Sequence, residues 1–418
     1  MAMLARRWLV VPAEPFTKPL VAPSPPPARR AGLKRLRKFA EGIVLALIGV
    51  LALVLLSVVI GFLDGAFSSS SGGAPGDPSS AGVIDSAPFW SPDSRLVAFD
   101  RSEYGFPDDK SSGASDVFVA DADGRALRRL TRTPANETVL GWLSNPLRVV
   151  YSTYQSKGPT NLYALNLSGG ARVKLGEVQK TDELLALSHD ARRALVGTPS
   201  PYPKRYALVD FARKTRRSLP GRGQDWMWMD GAWSQDDATL AYVTDAAIVI
   251  LRGERVLRRV PLGMYDSASG GLAWSPDGRR LAYGSSWGDS SSLWLVRTKD
   301  GSRSRLTGGG ETSDLNPVWS PDGSKIYYEH GSLGDHDGLR MMSPDGTGDT
   351  KITTDDWAGG GFLNFEGKGD RWLDTARISP DGTKIAYLLG ERGAWKNWSL
   401  VGVMNRDGTG KSVFPASV

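Results

Sequence analysis

The sequence predicts an all-β fold over most of its 418 residues, and three observations lead to that prediction. A segment of eleven residues recurs, turn residues lie at its centre, and no apolar period of 3.6 residues runs through the copies. The clearest copies begin at Phe89, Ala273 and Val318, and each contains the run Trp-Ser-Pro-Asp. Because proline stops a strand and Asp-Gly favours positive φ, each copy is predicted to form two strands joined by a hairpin turn.

Weaker copies lie between the clear ones. Each copy has two apolar anchor residues nine positions apart, and each unit is named here by the first of them. The anchors are Trp90, Trp142, Leu187, Trp233, Trp274, Trp319 and Ile378. Their mean spacing is 48 residues, and a third and a fourth strand follow each hairpin. Four short antiparallel strands at this period are typical of a β-propeller. We therefore predict seven blades over residues 85–418, with six as the alternative if the Trp142 or Leu187 unit is irregular.

The Trp-Ser-Pro-Asp-Gly motif at 274–278 and 319–323, with the hairpin Asp-Ala-Asp-Gly at 121–124, resembles the WD-like repeats of TolB-type propellers. Related repeats occur in the propeller domains of prolyl oligopeptidases and dipeptidyl peptidases. The resemblance covers residues 86–415 and implies the fold, but it implies no single function, because propellers host many unrelated activities. Periplasmic TolB is a soluble protein, whereas this chain carries a predicted membrane anchor.

That anchor is the apolar stretch 42–63, which holds 22 uncharged residues. At about 1.5 Å per residue it spans about 33 Å, enough to cross the hydrocarbon core of a bilayer, so we predict a transmembrane helix. The basic, proline-rich tail 1–41 precedes it, and a Ser/Gly/Pro-rich linker at 64–84 follows. Four basic residues flank the helix on its N-terminal side: Lys34, Arg35, Arg37 and Lys38. By the positive-inside rule the tail is cytoplasmic and the propeller is periplasmic or otherwise extracytoplasmic.

Charge and composition exclude several function classes. The formal net charge is +6, but the tail carries +7 and residues 64–418 carry −1, so a nucleic-acid-binding propeller is not expected. The absence of cysteine excludes disulfides, thiolate zinc sites and thiol nucleophiles. With only His189, His330 and His336 as histidines, we predict no metal, no cofactor and no catalytic residue.

Antiparallel order places the two hairpin turns of each unit on one side of the propeller, called here the turn side. The longer connections lie on the other side, called here the loop side. Aromatic residues in three of these connections are candidates for partner binding: Tyr104, Phe106, Trp226, Trp228, Trp357, Phe362, Phe365 and Trp372. The tryptophans at the anchor positions are instead predicted to pack between blades.

Two short motifs are weighed and set aside. Residues 284–288, Gly-Ser-Ser-Trp-Gly, match the nucleophile elbow of α/β-hydrolases, but that motif needs a strand-to-helix turn that a propeller does not offer. Residues 335–338 and 405–408 resemble calcium-binding loops, yet the closing glutamate is missing, so hairpin turns are the better interpretation.

These observations together predict a membrane-anchored propeller that is not an enzyme. We expect a protein-interaction scaffold in a larger membrane complex (photosynthetic, respiratory or envelope), bound through its helix, its tail and its loops. The alternative is an envelope enzyme or a ligand-binding sensor that uses the central funnel of the propeller.

Overall fold

The computed structural model describes residues 82–415 with internal gaps. The gaps are 105–113, 155–157, 169, 199–202, 224–230, 264–265, 269, 288–289, 309–311, 333–334, 354–369 and 393–396. Within the described ranges the regular structure is entirely β-strand, which confirms the all-β prediction. None of these residues forms a helix long and apolar enough to cross a membrane. The predicted transmembrane helix and the tail lie outside the described residues, and the first strand begins at Gly82, inside the predicted linker.

The strands follow the sequence units. The Trp90 unit contains β1 (Gly82–Asp85), β2 (Phe89–Trp90), β3 (Leu96–Tyr104), β4 (Asp116–Asp121) and β5 (Arg128–Arg129). The Trp142 unit contains β6 (Asn136–Ser144), β7 (Leu147–Tyr154), β8 (Thr160–Asn166) and β9 (Arg172–Val178). The Leu187 unit contains β10 (Glu183–Leu187), β11 (Arg193–Thr198), β12 (Lys204–Asp210) and β13 (Thr215–Gly223). The Trp233 unit contains β14 (Gly231–Trp233), β15 (Thr239–Val243), β16 (Ala247–Arg252) and β17 (Arg255–Pro261).

The three remaining units have the same order. The Trp274 unit contains β18 (Leu272–Trp274), β19 (Arg280–Trp287), β20 (Ser290–Arg297) and β21 (Arg303–Arg305). The Trp319 unit contains β22 (Thr312–Trp319), β23 (Ile326–Ser332), β24 (Asp335–Met342) and β25 (Thr350–Lys351). The Ile378 unit contains β26 (Asp370–Ile378), β27 (Lys384–Arg392), β28 (Asn397–Asn405) and β29 (Ser412–Val413).

In six units successive strands pair antiparallel and the first strand holds the anchor; in the Trp90 unit β1 and β2 both pair antiparallel with β3, and β2 holds the anchor. Two parallel contacts link different units: Ile84 of β1 pairs with Ser399 of β28, and Ser291 of β20 pairs with Ser313 of β22. The first contact joins the beginning of the described chain to its end.

The hairpin turns owe their shape to a local hydrogen-bond pattern. In the Trp274 unit, Ser275 Oγ donates to Asp277 Oδ1 at 2.6 Å and accepts from the Arg280 amide at 2.9 Å. Gly278 then adopts φ of 66°, a conformation that a glycine takes without a steric penalty. The hydrogen bond from Ser275 lowers the pKa of Asp277. Ser-Pro-Asp-Gly thus encodes the turn by itself.

The apolar core lies between units rather than within them. Trp90 and Val97 of the first unit share a buried cluster with Val401 and Phe414 of the last unit. Phe414 is fully buried, which is worth about 1.5–3 kcal/mol for a side chain of this size. Since each unit buries one sheet face against its neighbour, the units depend on one another for stability.

Candidate functional site

Two of the predicted partner-binding residues fall within described strands. Tyr104 lies at the end of β3 and Trp372 lies in β26, and only their backbones are described. The other six aromatic residues and the four basic residues of the membrane flank fall outside the described ranges. These assignments stay predictions.

The anchor tryptophans are confirmed as packing residues. Trp142 Nε1 donates to the carbonyl of Phe89 at 2.9 Å, and Trp319 Nε1 donates to the carbonyl of Ala273 at 3.0 Å. In both cases the acceptor is the residue just before the anchor of the preceding unit. Trp90 and Trp274 make the equivalent bonds. These tryptophans are about nine-tenths buried, so they join neighbouring first strands rather than meet a ligand.

A second position in the repeat holds an acidic residue that pairs with a polar or charged side chain, and the sequence analysis did not identify it. In the Trp90, Leu187 and Trp319 units an acidic residue lies five positions before the anchor, and its partner lies eleven positions after the anchor on the second strand of the same unit. Asp182 follows this rule with Thr198, whose hydroxyl donates to Asp182 Oδ1 at 2.5 Å. In the Trp274 unit, Asp266 lies eight positions before the anchor and accepts from Ser285 at 2.6 Å. The spacing of these acids from the anchors is visible in the sequence and is the signal that could have found them.

A β-bulge in the first strand brings the acid into this position. The register shifts between Leu184 and Ala186 in β10, and between Leu315 and Val318 in β22. One extra residue changes which face of the sheet the preceding side chains point to. At the second bulge Asn316 takes φ of 51°, and its side-chain amide donates to Glu329 Oε2 at 2.8 Å.

In the Trp90 unit this pair is a fully buried salt bridge. Arg101 donates from Nε to Asp85 Oδ1 at 2.6 Å and from a terminal nitrogen to Asp85 Oδ2 at 2.8 Å. Both side chains have zero exposure. A further guanidinium nitrogen donates to the carbonyl of Pro415 at 2.7 Å, so the pair also fastens the end of the described chain to its beginning. Burial raises the pKa of the Asp85 carboxyl, and the bonds from Arg101 oppose that shift.

Asp100 lies beside this salt bridge without an ion-pair partner among the described residues. It accepts hydrogen bonds from Ser86 Oγ at 2.5 Å and from the Val139 amide at 2.9 Å. Burial raises the pKa of Asp100 to about 6, and the hydrogen bond from Ser86 counteracts the shift only in part. This carboxyl can therefore change protonation in the weakly acidic range.

In the Trp319 unit the same position holds a histidine. Nδ1 of His330 donates to Oδ1 of Asp314, whose side chain is 4% exposed, whereas the His330 side chain is 18% exposed. The Tyr328 ring meets the imidazole edge-on with centroids 6.4 Å apart. A buried carboxylate on one ring nitrogen fixes the tautomer and the orientation of the imidazole, an arrangement that suits a general base.

Next to His330, the side chains of Tyr328, Asp349 and Arg340 form a hydrogen-bond network. Tyr328 donates its hydroxyl to Asp349 Oδ1 at 2.8 Å, and Arg340 donates to Asp349 Oδ2 at 2.9 Å. Although burial opposes ionisation of Asp349, the hydrogen bonds from Arg340 and Tyr328 lower its pKa. Burial raises the pKa of the Tyr328 phenol, so this hydroxyl stays protonated near neutral pH. The network holds Tyr328, and through it the imidazole, in one place.

The motifs set aside on sequence grounds are strands or turns here. Residues 284–287 belong to β19, and Ser285 donates to Asp266, so the Gly-Ser-Ser-Trp-Gly run forms no nucleophile elbow. Asp407 accepts from the Thr409 amide at 3.0 Å in a hairpin turn. Within the described ranges, no group of three or more His, Asp or Glu residues is placed to hold a metal ion.

Three solved structures illustrate the similarity to known proteins. The β-propeller domain of the Trilobed protease from Pyrococcus furiosus has a TM-score of 0.53 at 13% identity, covering 80% of this chain and 96% of that one. Puromycin hydrolase has a TM-score of 0.55 at 14% identity, covering 83% of this chain and 56% of that one. TolB from Acinetobacter baumannii has a TM-score of 0.43 at 15% identity, covering 80% and 63%. No protein-family model and no curated protein matches the chain.

These similarities confirm the β-propeller fold and correct one functional prediction. The prediction of a non-catalytic scaffold that is not an enzyme is wrong, because propeller structures with TM-scores above 0.5 include puromycin hydrolase and acylaminoacyl peptidase. Scarcity of histidine and cysteine does not exclude catalysis. A single imidazole held by a buried carboxylate is enough for acid–base chemistry.

Proposed function

We propose that the propeller binds a peptide at its loop side and acts on it with His330 as the acid–base residue. The observation that supports this proposal is the pairing of a partly exposed imidazole with the buried carboxylate of Asp314. In the Trp90 unit the equivalent pair is fully buried, and in the Leu187 unit it contains the hydroxyl of Thr198, which is a poor base. The peptide class is part of the proposal: acylaminoacyl peptidase and the Trilobed protease act on peptides by name, and their solved structures share this fold.

The chain offers a matched control for this proposal. His189 also donates from Nδ1 to an aspartate, Asp237 Oδ1, at 2.7 Å, but it lies in a hairpin turn on the turn side. Its side chain is 50% exposed. Both histidines pair with an aspartate, but only His330 lies at the proposed site. Comparing variants of the two therefore shows whether activity depends on the location of the pair.

The test uses the full chain in detergent with a panel of aminoacyl p-nitroanilides. We expect His330→Gln to lower kcat/KM by about 100-fold or more, the usual size of an acid–base contribution. Asp314→Asn lowers kcat/KM less and also moves the pH–rate profile, whereas His189→Gln leaves both unchanged. An unaltered rate in His330→Gln, or no turnover of any anilide by the wild-type protein, overturns the proposal.

We further propose that the seven units close into a seven-bladed ring on a membrane tether. The contact between β1 and β28 and the buried cluster shared by the first and last units support the closure. The apolar stretch 42–63 and its basic flank support a tether with a cytoplasmic tail and a periplasmic propeller. Alkaline phosphatase fused after residue 418 is expected to be active, and activity only of a fusion after residue 40 would contradict the orientation.

A further inference from the structure

Arg377 lies on the first strand of the last unit, and like Arg148 it has a buried Nε without a hydrogen-bond partner. It is the residue just before the anchor Ile378, and its carbonyl accepts the indole hydrogen of Trp90 at 2.9 Å. Its guanidinium lies over the Phe89 ring, with Cζ 4.5 Å from the ring centroid. The side chain thus spans from the first strand of the last unit to the first strand of the first unit.

This cation has no counter-charge among the described residues. Arginines of the described residues that form an ion pair with an aspartate include Arg101, Arg129, Arg216, Arg303 and Arg340. Arg377 makes no ion pair in the same part of the chain, and its buried Nε has no hydrogen-bond partner. Burial lowers the pKa of its guanidinium, and no acidic group offsets that effect. A buried donor without an acceptor is destabilising by about 1–3 kcal/mol, and by more when it is charged.

The residue before the anchor is small in most of the units, and each of these residues keeps part of its surface exposed: Gly141, Ala186, Ala232, Ala273 and Val318. The tryptophan bonds between first strands place these positions next to one another from unit to unit. In the closed ring proposed above, they border the central channel.

We propose that Arg377, held flat by Phe89, binds an oxyanion in the central channel, as the anchor for a carboxylate or phosphate group of a ligand. The fork of a guanidinium matches such a group with two parallel hydrogen bonds, and stacking on an aromatic ring fixes the direction of the fork. The bound anion would give Nε its missing acceptor and would neutralise the charge of the guanidinium. This site is distinct from His330, which lies in the neighbouring unit on the loop side.

The test measures thermal unfolding of the full chain in detergent with phosphate, sulfate or citrate against chloride at equal ionic strength. A ligand that binds only the folded state raises Tm with concentration, from which an apparent Kd follows. We expect Arg377→Met to weaken this Kd at least about tenfold and to be no less stable than wild type in chloride. Arg377→Lys keeps the charge without the fork and is expected to weaken citrate more than phosphate.

Arg95→Met is the matched control, because Arg95 is an exposed arginine in the turn that follows the Trp90 anchor. It is expected to leave every anion response unchanged. Tm values that rise equally in wild type and Arg377→Met overturn the proposal, as does a wild-type Tm that none of the three anions raises. A response to citrate alone assigns a carboxylate ligand, and a response to phosphate and sulfate alone assigns a tetrahedral one.

Discussion

Two seams between units use the same architecture for different purposes. In the closing seam, between the Ile378 and Trp90 units, β28 contacts β1 in parallel; in the histidine seam, between the Trp274 and Trp319 units, β20 contacts β22 in parallel. Each seam places an aspartate five residues before the anchor. The closing seam pairs it with Arg101, and the histidine seam pairs it with His330.

The difference lies in exposure and in charge. The Arg101 pair has no exposed surface and reaches the end of the chain, whereas the His330 side chain keeps 18% of its surface exposed. A guanidinium stays charged throughout the physiological pH range, and an imidazole can exchange its proton there. One repeat position can therefore serve stability at one seam and chemistry at another, depending on a single residue.

The largest effect is expected from breaking the closing seam. Arg101→Met leaves the Asp85 carboxylate buried without a partner and is expected to lower the free energy of unfolding by about 3–5 kcal/mol. Urea denaturation followed by tryptophan fluorescence measures this loss. The double variant Asp85→Asn/Arg101→Met removes both charges and is expected to recover most of it. Equal losses in the single and the double variant would show that packing, not charge, holds this seam.

Asp100 makes the closing seam sensitive to pH. Because its folded pKa of about 6 lies above the ordinary value of 3.8, the folded state favours the protonated carboxyl. The protonated Asp100 carboxyl therefore contributes about 2–3 kcal/mol to the free energy of unfolding. This contribution is fully present below about pH 4 and is lost as the pH rises through 6. Asp100→Asn cannot titrate, yet its side-chain oxygen still accepts from the Val139 amide.

Urea denaturation of wild type and Asp100→Asn at pH 4, 5, 6 and 7 measures this effect. The variant is expected to gain stability relative to wild type across that range. The neighbouring charges of Asp85 and Arg101 are present in both proteins and cancel in the comparison. A difference between the two proteins that does not change with pH would contradict the assignment.

The smallest effect concerns the indole bond of the histidine seam. Trp319 and Trp233 are each 7% exposed, and each lies under an arginine guanidinium, but only Trp319 Nε1 has a partner, the carbonyl of Ala273. Trp319→Phe is expected to cost about 1 kcal/mol more than Trp233→Phe, since Trp233 Nε1 is buried without an acceptor. Chemical denaturation of both variants measures the difference. If both variants lose the same unfolding free energy, the indole hydrogen bond of Trp319 does not contribute and the ring acts only by packing.

Much of the fold can be predicted from local sequence. Ser-Pro-Asp-Gly contains the hydroxyl, the carboxylate and the glycine that its turn requires, so the hairpins and their period are readable without neighbours. The anchor tryptophans are equally readable as packing residues. The candidate site is not, because the Asp314 and His330 positions are sixteen residues apart and meet only through antiparallel pairing in a register shifted by a bulge.

By itself the sequence determined the strand pairs, their turns and the order of the units, because each depends on interactions within about ten residues of chain. Only the tertiary structure decided which polar residues become partners. Burial between units removes water from Asp85, Asp314 and Arg377 alike, but the neighbouring unit and the second strand decide whether a given charge finds a counter-charge. The Asp85–Arg101 and Asp314–His330 pairs each join positions sixteen residues apart, and only strand pairing brings their side chains into contact.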